Sequence, residues 1–418
     1  MNVTSKNRLG AYVLGVLLCA ALVTPTEALA QKKKAKDYAA FAFDADKRKK
    51  TRRPLGARLT YSGSIGVSHL SETGRVLDDA EARRASTNKV SLSFATRLKI
   101  TESLTGFAHL DLSAKKKRYG EVSYPGQTRL RVKEAHLSYA LSPTYRLSLG
   151  RMRFSDPRRR AMDAAGDGVH LGYKTPSWGW EAALFKDAFG DRGVYALAHA
   201  QRYERHKVQG LYGLIETLED EARIYVSGYA QSKVKGAPQF DLGITGVFGD
   251  AANGKSSGWS ADATITKAFT FQNLNPHLSL GLAFGTEGYV EPRLASHKAK
   301  EGGQAQFKRF GTVFQPELTN LAVASVAVGL RPSRKFSLDL RAHAYAQLNP
   351  STVAPVARVT GRTTGLSRHV GHEVSLVGAW RAGKSSKIEF GAGLFKPGKA
   401  YENRRSSSRL FVRFTQYF

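Results

Sequence analysis

The chain has 418 residues, with 64 Lys+Arg against 34 Asp+Glu and a net charge of +30. Beyond the first thirty residues no apolar run approaches the length of a transmembrane helix, which excludes a helical membrane protein. A single cysteine, Cys19, excludes a disulfide framework and a thiolate metal site.

In chain order, Lys6 and Arg8 precede an apolar run from Ala11 to Val23, and Ala28 and Ala30 form an A-x-A site before Gln31. The pattern predicts a cleaved secretory signal peptide over residues 1–30. Cys19 lies inside it, behind Leu18, where a lipoprotein signal needs a small residue. Secretion argues against nucleic acid as the partner of so basic a chain. An acidic polymer, acidic lipid head groups or small anions remain. Residues 31–55 carry Lys32, Lys33, Lys34, Lys36, Lys47, Arg48, Lys49, Lys50, Arg52 and Arg53 with no apolar period. They are predicted to form a mobile periplasmic arm.

From Gly56 onward the period is two. Val90, Leu92, Phe94, Leu98 and Ile100 share one face, while Lys89, Ser91, Ser93, Arg97 and Lys99 share the other. Residues 240–248 and 336–345 repeat the pattern. One face requires hydrocarbon and the other water. Eighteen strands are predicted: 56–70, 88–100, 104–114, 129–141, 145–153, 167–174, 178–187, 193–203, 207–216, 222–231, 239–249, 258–269, 278–287, 318–330, 336–347, 372–381, 387–396 and 408–418.

Tight connections such as Ser142-Pro143-Thr144 and Thr175-Pro176-Ser177 alternate with long ones over 71–87, 115–128, 154–166, 288–317 and 348–371. Short turns and long loops on opposite sides mark a bacterial outer-membrane barrel, its short turns in the periplasm. An even strand count closes the sheet, because a bare edge cannot be satisfied in lipid. The last strand places Leu410, Val412, Phe414 and the terminal Phe418 on one face, like the signal read by the outer-membrane assembly machinery. The predicted fold class is therefore all-β, a transmembrane antiparallel β-barrel over residues 56–418 in the cell outer membrane. The loops 288–317 and 348–371 are long enough to enter the lumen as a plug, and the sequence leaves this open.

Alternation also assigns the lumen. Arg58, Lys89, Arg97, Lys99, Arg129, Arg131, Arg223, Arg341 and Arg413 fall on polar faces with Asp241, Asp262, Asp339, Glu373 and Glu389. Basic residues exceed acidic ones, which in a narrow low-dielectric pore selects anions. Any single arginine has an alternative role as half of a structural ion pair. The loop runs Lys115-Lys116-Lys117-Arg118, Arg158-Arg159-Arg160 and Arg404-Arg405 fit lipopolysaccharide phosphates as well as they fit a substrate. No catalytic or metal motif is present, and no cofactor is expected.

Five stretches resemble the alginate-export outer-membrane protein family: Leu149-Gly150-Arg151-Met152-Arg153-Phe154-Ser155-Asp156, Arg309-Phe310-Gly311, Pro316-Glu317-Leu318-Thr319-Asn320-Leu321, Leu338–Tyr345 and Gly391–Ala400. The resemblance covers residues 129–418. It implies an eighteen-stranded barrel with an arginine-rich constriction that passes an acidic polysaccharide out of the cell. It carries selectivity roles onto Arg151 and Arg153, then Arg129, Arg309 and Arg341, with Asp156, Asp163 and Asp167 as acidic partners; alternation adds Arg131 and Asp339 to these site residues. Strict alternation from Leu147 and Leu149 would turn Arg151 to lipid, so the strand must bulge or leave the membrane there. The expected partners are an anionic polysaccharide, lipopolysaccharide and periplasmic export or synthesis machinery, with the barrel a monomer. The competing expectation is an anion-selective, phosphate-type porin for small-solute uptake.

Overall fold

The computed structural model describes residues 53–54, 58–79, 83–190, 193–218, 221–234, 236–251, 254–271, 273–299 and 304–418. The expected signal peptide lies outside the described residues, and so does the expected arm apart from Arg53–Pro54, which pair with Tyr61 and Thr60.

Eighteen long strands follow one another: β1 Leu59–Thr73, β2 Arg84–Lys99, β3 Leu104–Tyr119, β4 Gln127–Ala140, β5 Tyr145–Ser155, β6 Asp163–Lys174, β7 Trp178–Asp187, β8 Val194–Glu204, β9 Lys207–Leu218, β10 Glu221–Ser232, β11 Gln239–Ala251, β12 Gly254–Ala268, β13 His277–Gly285, β14 Leu321–Ser333, β15 Phe336–Gln347, β16 His369–Trp380, β17 Ser386–Pro397 and β18 Ser407–Tyr417. Each pairs antiparallel with its chain neighbour, and β18 pairs back onto β1 from Ser64↔Tyr417 to Thr73↔Ser408. No helix occurs among the described residues. The closed ladder satisfies the backbone where lipid cannot.

The strands form because alternate side chains meet opposite solvents. Leu149, Leu211 and Leu282 are about two-thirds exposed on the outer face, at 64%, 66% and 66%. On the same or adjacent strands Ser148, Tyr212 and Ala283 are buried inside. A soluble core would invert this distribution; a hydrocarbon surround explains it.

The outer connections are numbered L1–L9 in chain order, and three of them shape the interior. L7, residues 286–320, descends through the barrel. Gln304 donates its backbone N–H to Ser337 Oγ at 2.9 Å and its side-chain amide to the Arg334 carbonyl at 3.2 Å. Arg334 belongs to the periplasmic turn between β14 and β15, so L7 reaches the far end of the lumen. Its return leg is seated on Glu373 of β16, which accepts the N–H groups of Thr312, Val313 (3.1 Å) and Phe314 (2.9 Å). Phe314 stacks on Phe395 with ring centres 4.5 Å apart.

L3, residues 156–162, enters from another side. β4 pairs with β5 only over Ala135–Ala140 against Arg146–Arg151. Above Arg151, β5 pairs with β6 alone. At the departure point Gly150 has φ +118, and a Cβ there would lie 2.5 Å from the Ala135 carbonyl oxygen. Only glycine fits such a turn without strain. The Met152–Ala165 hairpin therefore leaves the wall and turns into the lumen. Among the described residues, the upper part of β4, 127–134, keeps β3 as its one strand neighbour.

L8, residues 348–368, lies at the extracellular mouth. It meets L1 (74–83) through Leu77 N–H to the Thr360 carbonyl at 2.8 Å. It meets L7 through Arg358 N–H to the Phe314 carbonyl at 2.9 Å.

Candidate functional site

The lumen has two unlike sides. Along β5–β16, where L3 and L7 enter, the inward residues are buried by protein. Arg158 of L3 reaches across to Asp241 of β11 and Asp262 of β12. Arg160 adds Asp262 at 3.3 Å and His297 Nδ1 at 3.0 Å; Arg309 of L7 adds Asp241 at 3.1 Å. Burial works against the charge on Arg158, yet Asp262 and Asp241 more than offset it and hold its pKa above that of a free guanidinium. Further round, Glu181 is wholly buried between His170 (3.0 Å) and His199 (2.7 Å), and His199 also meets the Tyr229 hydroxyl at 2.9 Å. Phe154 stacks on Phe185, and Phe185 on Tyr195. Below L3, Arg158, Arg159, Lys298, Arg309, Asp241 and Gln231 line a cavity of about 440 Å³.

The other side, β17, β18 and β1–β4, is lined by cations facing open lumen. Register places Arg413, Ser68, Lys89 and Lys115 side by side across β18, β1, β2 and β3. Arg131 and Arg129 follow on β4 opposite Asp111 and Ser113. Carboxylates are sparse here. Asp111 takes Lys133 at 3.0 Å, and Glu389 takes Lys387 at 2.7 Å and Arg413 at 3.5 Å. From L7, Lys298 and Lys308 join this side. Burial, reinforced by Lys298 and Arg409, pulls the Lys308 pKa below the usual lysine range. Cations gathered along one wall raise the local concentration of anions.

The residues expected from the sequence divide between the two sides. Arg129 and Arg131 are exposed on the open wall, and Arg131 also lies 5.3 Å from the Phe189 ring centre. Arg153 pairs with Asp163, which also takes Lys298 and Ser296 of L7 at 3.0 Å each. Arg309 belongs to the Asp241–Asp262 cluster. Arg341 lies under the tip of L7, 3.7 Å from the Phe307 ring centre. Asp339 takes Arg331 at 2.7 Å and His277 at 3.0 Å.

Arg151 is not left free on the wall: it grips Asp167 with two 2.7 Å bonds and donates to the Val132 carbonyl at 3.1 Å, where β5 parts from β4. Of the two ways out of the parity conflict, the strand leaves the wall. Nor do Arg158-Arg159-Arg160 meet the outer-leaflet surface. They point inward, because Asp156 caps L3 by accepting the N–H groups of Arg158, Ala161 and Met162 at 2.8–2.9 Å. Asp156 thus shapes the loop, and among the described residues it is paired with backbone N–H groups instead of an arginine side chain. Lys89, Arg97, Arg223 and Arg413 point inward as alternation assigns, whereas Arg58 and Lys99 lie at the periplasmic rim, where Lys99 meets Glu102 of the turn at 2.8 Å. The buried His170–Glu181–His199 group was not singled out by the sequence. Its signal is positional, because the three residues fall on polar faces of successive strands.

A closed eighteen-stranded barrel with an apolar exterior, an inward-folded loop and a cationic path beside it defines an outer-membrane channel. Solved structures agree on the fold. OccK9 (OpdG) of Pseudomonas aeruginosa superposes with a TM-score of 0.61 at 12% identity, over 86% of this chain and 98% of that one. OprD of the same organism gives 0.57 at 11%, over 88% and 97%. OccK2 (OpdF), solved in complex with glucuronate, gives 0.55 at 12%, over 86% and 98%. No curated protein matches the sequence. The family model for alginate export matches residues 180–413, more than half of the chain, and the protein belongs to that family. Arg129, Arg131, Arg151 and Arg153 lie ahead of the matched segment, so their roles rest on geometry.

Proposed function

We propose that the barrel exports an anionic exopolysaccharide, alginate or a related uronate polymer, along the cationic wall of β17, β18 and β1–β4. A signal peptide over residues 1–30 would deliver it, and the polymer would come from synthesis machinery inside the envelope. The observation that carries the reading is the row Arg413, Lys89, Lys115, Arg131 and Arg129, which faces open lumen with few carboxylates opposite. Guanidinium groups bind carboxylates in a planar fork, and ammonium groups add mobile point charges. A chain of uronates would exchange from one to the next without any single site holding it. Arg129, Arg131 and Arg413 are the proposed contacts, while Arg309, Arg341 and Arg158 hold the loops that narrow the path.

The second reading is a small-anion porin, favoured by how much of the lumen L3 and L7 occupy and by the likeness to OccK2, solved with a single uronate. Bilayer recording separates the two. Reversible block by oligouronate, absent with neutral dextran and lost when Arg129, Arg131 and Arg413 are replaced by Ala, supports export. Anion selectivity indifferent to oligouronate supports the porin, and cation selectivity defeats both.

A further inference from the structure

L8 is fastened at the mouth mostly by backbone bonds: Leu77 N–H to the Thr360 carbonyl (2.8 Å), Thr360 N–H to Arg75 (3.0 Å), Glu317 N–H to Val356 (2.8 Å) and Arg358 N–H to Phe314 (2.9 Å). Charged groups join them: Asp78 of L1 accepts the Arg362 N–H at 2.9 Å, Arg75 Nε donates to the Arg358 carbonyl at 3.4 Å, and one ion pair ties L8 to the wall. Arg358 of L8 grips Glu72 of β1 with both arms of its guanidinium, Nε at 2.6 Å. Glu72 also takes Nε of Arg409 at 3.3 Å, while Nη1 of Arg409 donates to the Thr312 carbonyl of L7 at 2.7 Å. Two guanidinium groups therefore share one carboxylate, with Lys308 close enough to feel Arg358 and Arg409. The Arg358 and Arg409 side chains keep 27% and 18% of their surface exposed.

We propose that Arg358 and Arg409 form a carboxylate-binding site at the extracellular mouth, filled in this structure by Glu72. Polymer carboxylates displace Glu72 from Arg358 and release L8, so the cargo opens the exit. The inference rests on the uronate-export reading. Exchanging one carboxylate for another on a guanidinium changes little energy by itself. The outcome is decided by local concentration, and a uronate chain delivers its carboxylates in series along the wall below. A chloride ion cannot reproduce the planar two-point contact.

Two variants test this in planar bilayers. Glu72→Gln removes the internal competitor, and expected results are more frequent opening in chloride alone and roughly tenfold tighter oligouronate block. The pair Val76→Cys with Thr360→Cys, which are bridge partners of L1 and L8, locks the loop when oxidised. The oxidised form is expected to lose its openings in chloride and to pass no oligouronate, with both restored by reduction. Unchanged block and gating in Glu72→Gln, or wild-type transit through the oxidised form, overturns the latch. If oligouronate acts on no form at all, the export reading fails. The latch is then judged in chloride, where identical gating of wild type and Glu72→Gln overturns it.

Discussion

The two sides of the lumen are built from the same alternating strands, yet one is filled and the other is bare. On the β5–β16 side, carboxylates have protein partners: Asp241 and Asp262 take Arg158, Asp339 takes Arg331, and Glu181 is hydrogen-bonded by two histidines. On the β17–β4 side cations stand in excess, and Asp111, Glu72 and Glu389 each serve more than one of them. Lumen-facing charge thus has two uses. Where loops cover it, it must be paired or it would carry an uncompensated desolvation cost. Where water covers it, it can remain unpaired and set the field.

Because of that division, substitutions on the two sides differ in kind. The largest effect is expected from Glu373→Ala. Three L7 backbone N–H groups lose their buried acceptor, about 1 kcal/mol or more apiece, and the loop leaves its seat. Conductance should rise and protease should cut near Thr312 in the intact barrel; unchanged conductance would mean that L7 does not narrow the path. Asp262→Ala should follow, costing about 3 kcal/mol because Arg158 and Arg160 are left buried with too little countercharge. Thermal unfolding in detergent measures it, and Asp262→Asn should recover only part.

A pH effect comes next. Burial, together with Glu291, pushes the Glu317 carboxyl up to about 7. The proton is bound more tightly in the folded state, so stability is full below about pH 4.5, falls as pH rises toward 7 and levels above. Seated L7 should lose up to about 3 kcal/mol over that window, read as growing protease access. Glu317→Gln should flatten the profile. The smallest change in stability, within about 0.5 kcal/mol, is expected for Lys89→Ala with Arg131→Ala. Here the reversal potential should move toward zero while the melting temperature stays. A large loss of stability from this pair would erase the distinction between the two sides.

The wall was legible because lipid imposes a strict rule: every second residue from Leu59 to Tyr417 answers to one solvent. The eighteen predicted strands accordingly lie within a few residues of those observed. The interior was less legible, since a loop's destination is fixed by contacts distant in sequence. Arg158-Arg159-Arg160 reads as an exposed basic run until Asp241 and Asp262, some 80 to 100 residues later, supply its partners. One clue was local. The parity conflict at Arg151 arises where Gly150 turns the strand inward. L7 announced itself by length alone, and nothing near Glu373 in sequence indicates that it holds Phe314, 59 residues earlier.

The inward turn at Gly150 has a mechanical side. A closed barrel resists distortion as a hoop does, through a ladder of hydrogen bonds that runs unbroken around its circumference. Above Arg151 the ladder between β4 and β5 stops, and Arg151 spans the parting with one bond to Val132 and two to Asp167. The outer half of the ring is therefore weakened along this line. Lateral pressure from the outer leaflet is borne here by a side chain and by Phe189, against which Arg151 and Arg131 both pack. The barrel has a compliant flank, and it lies beside the cationic wall.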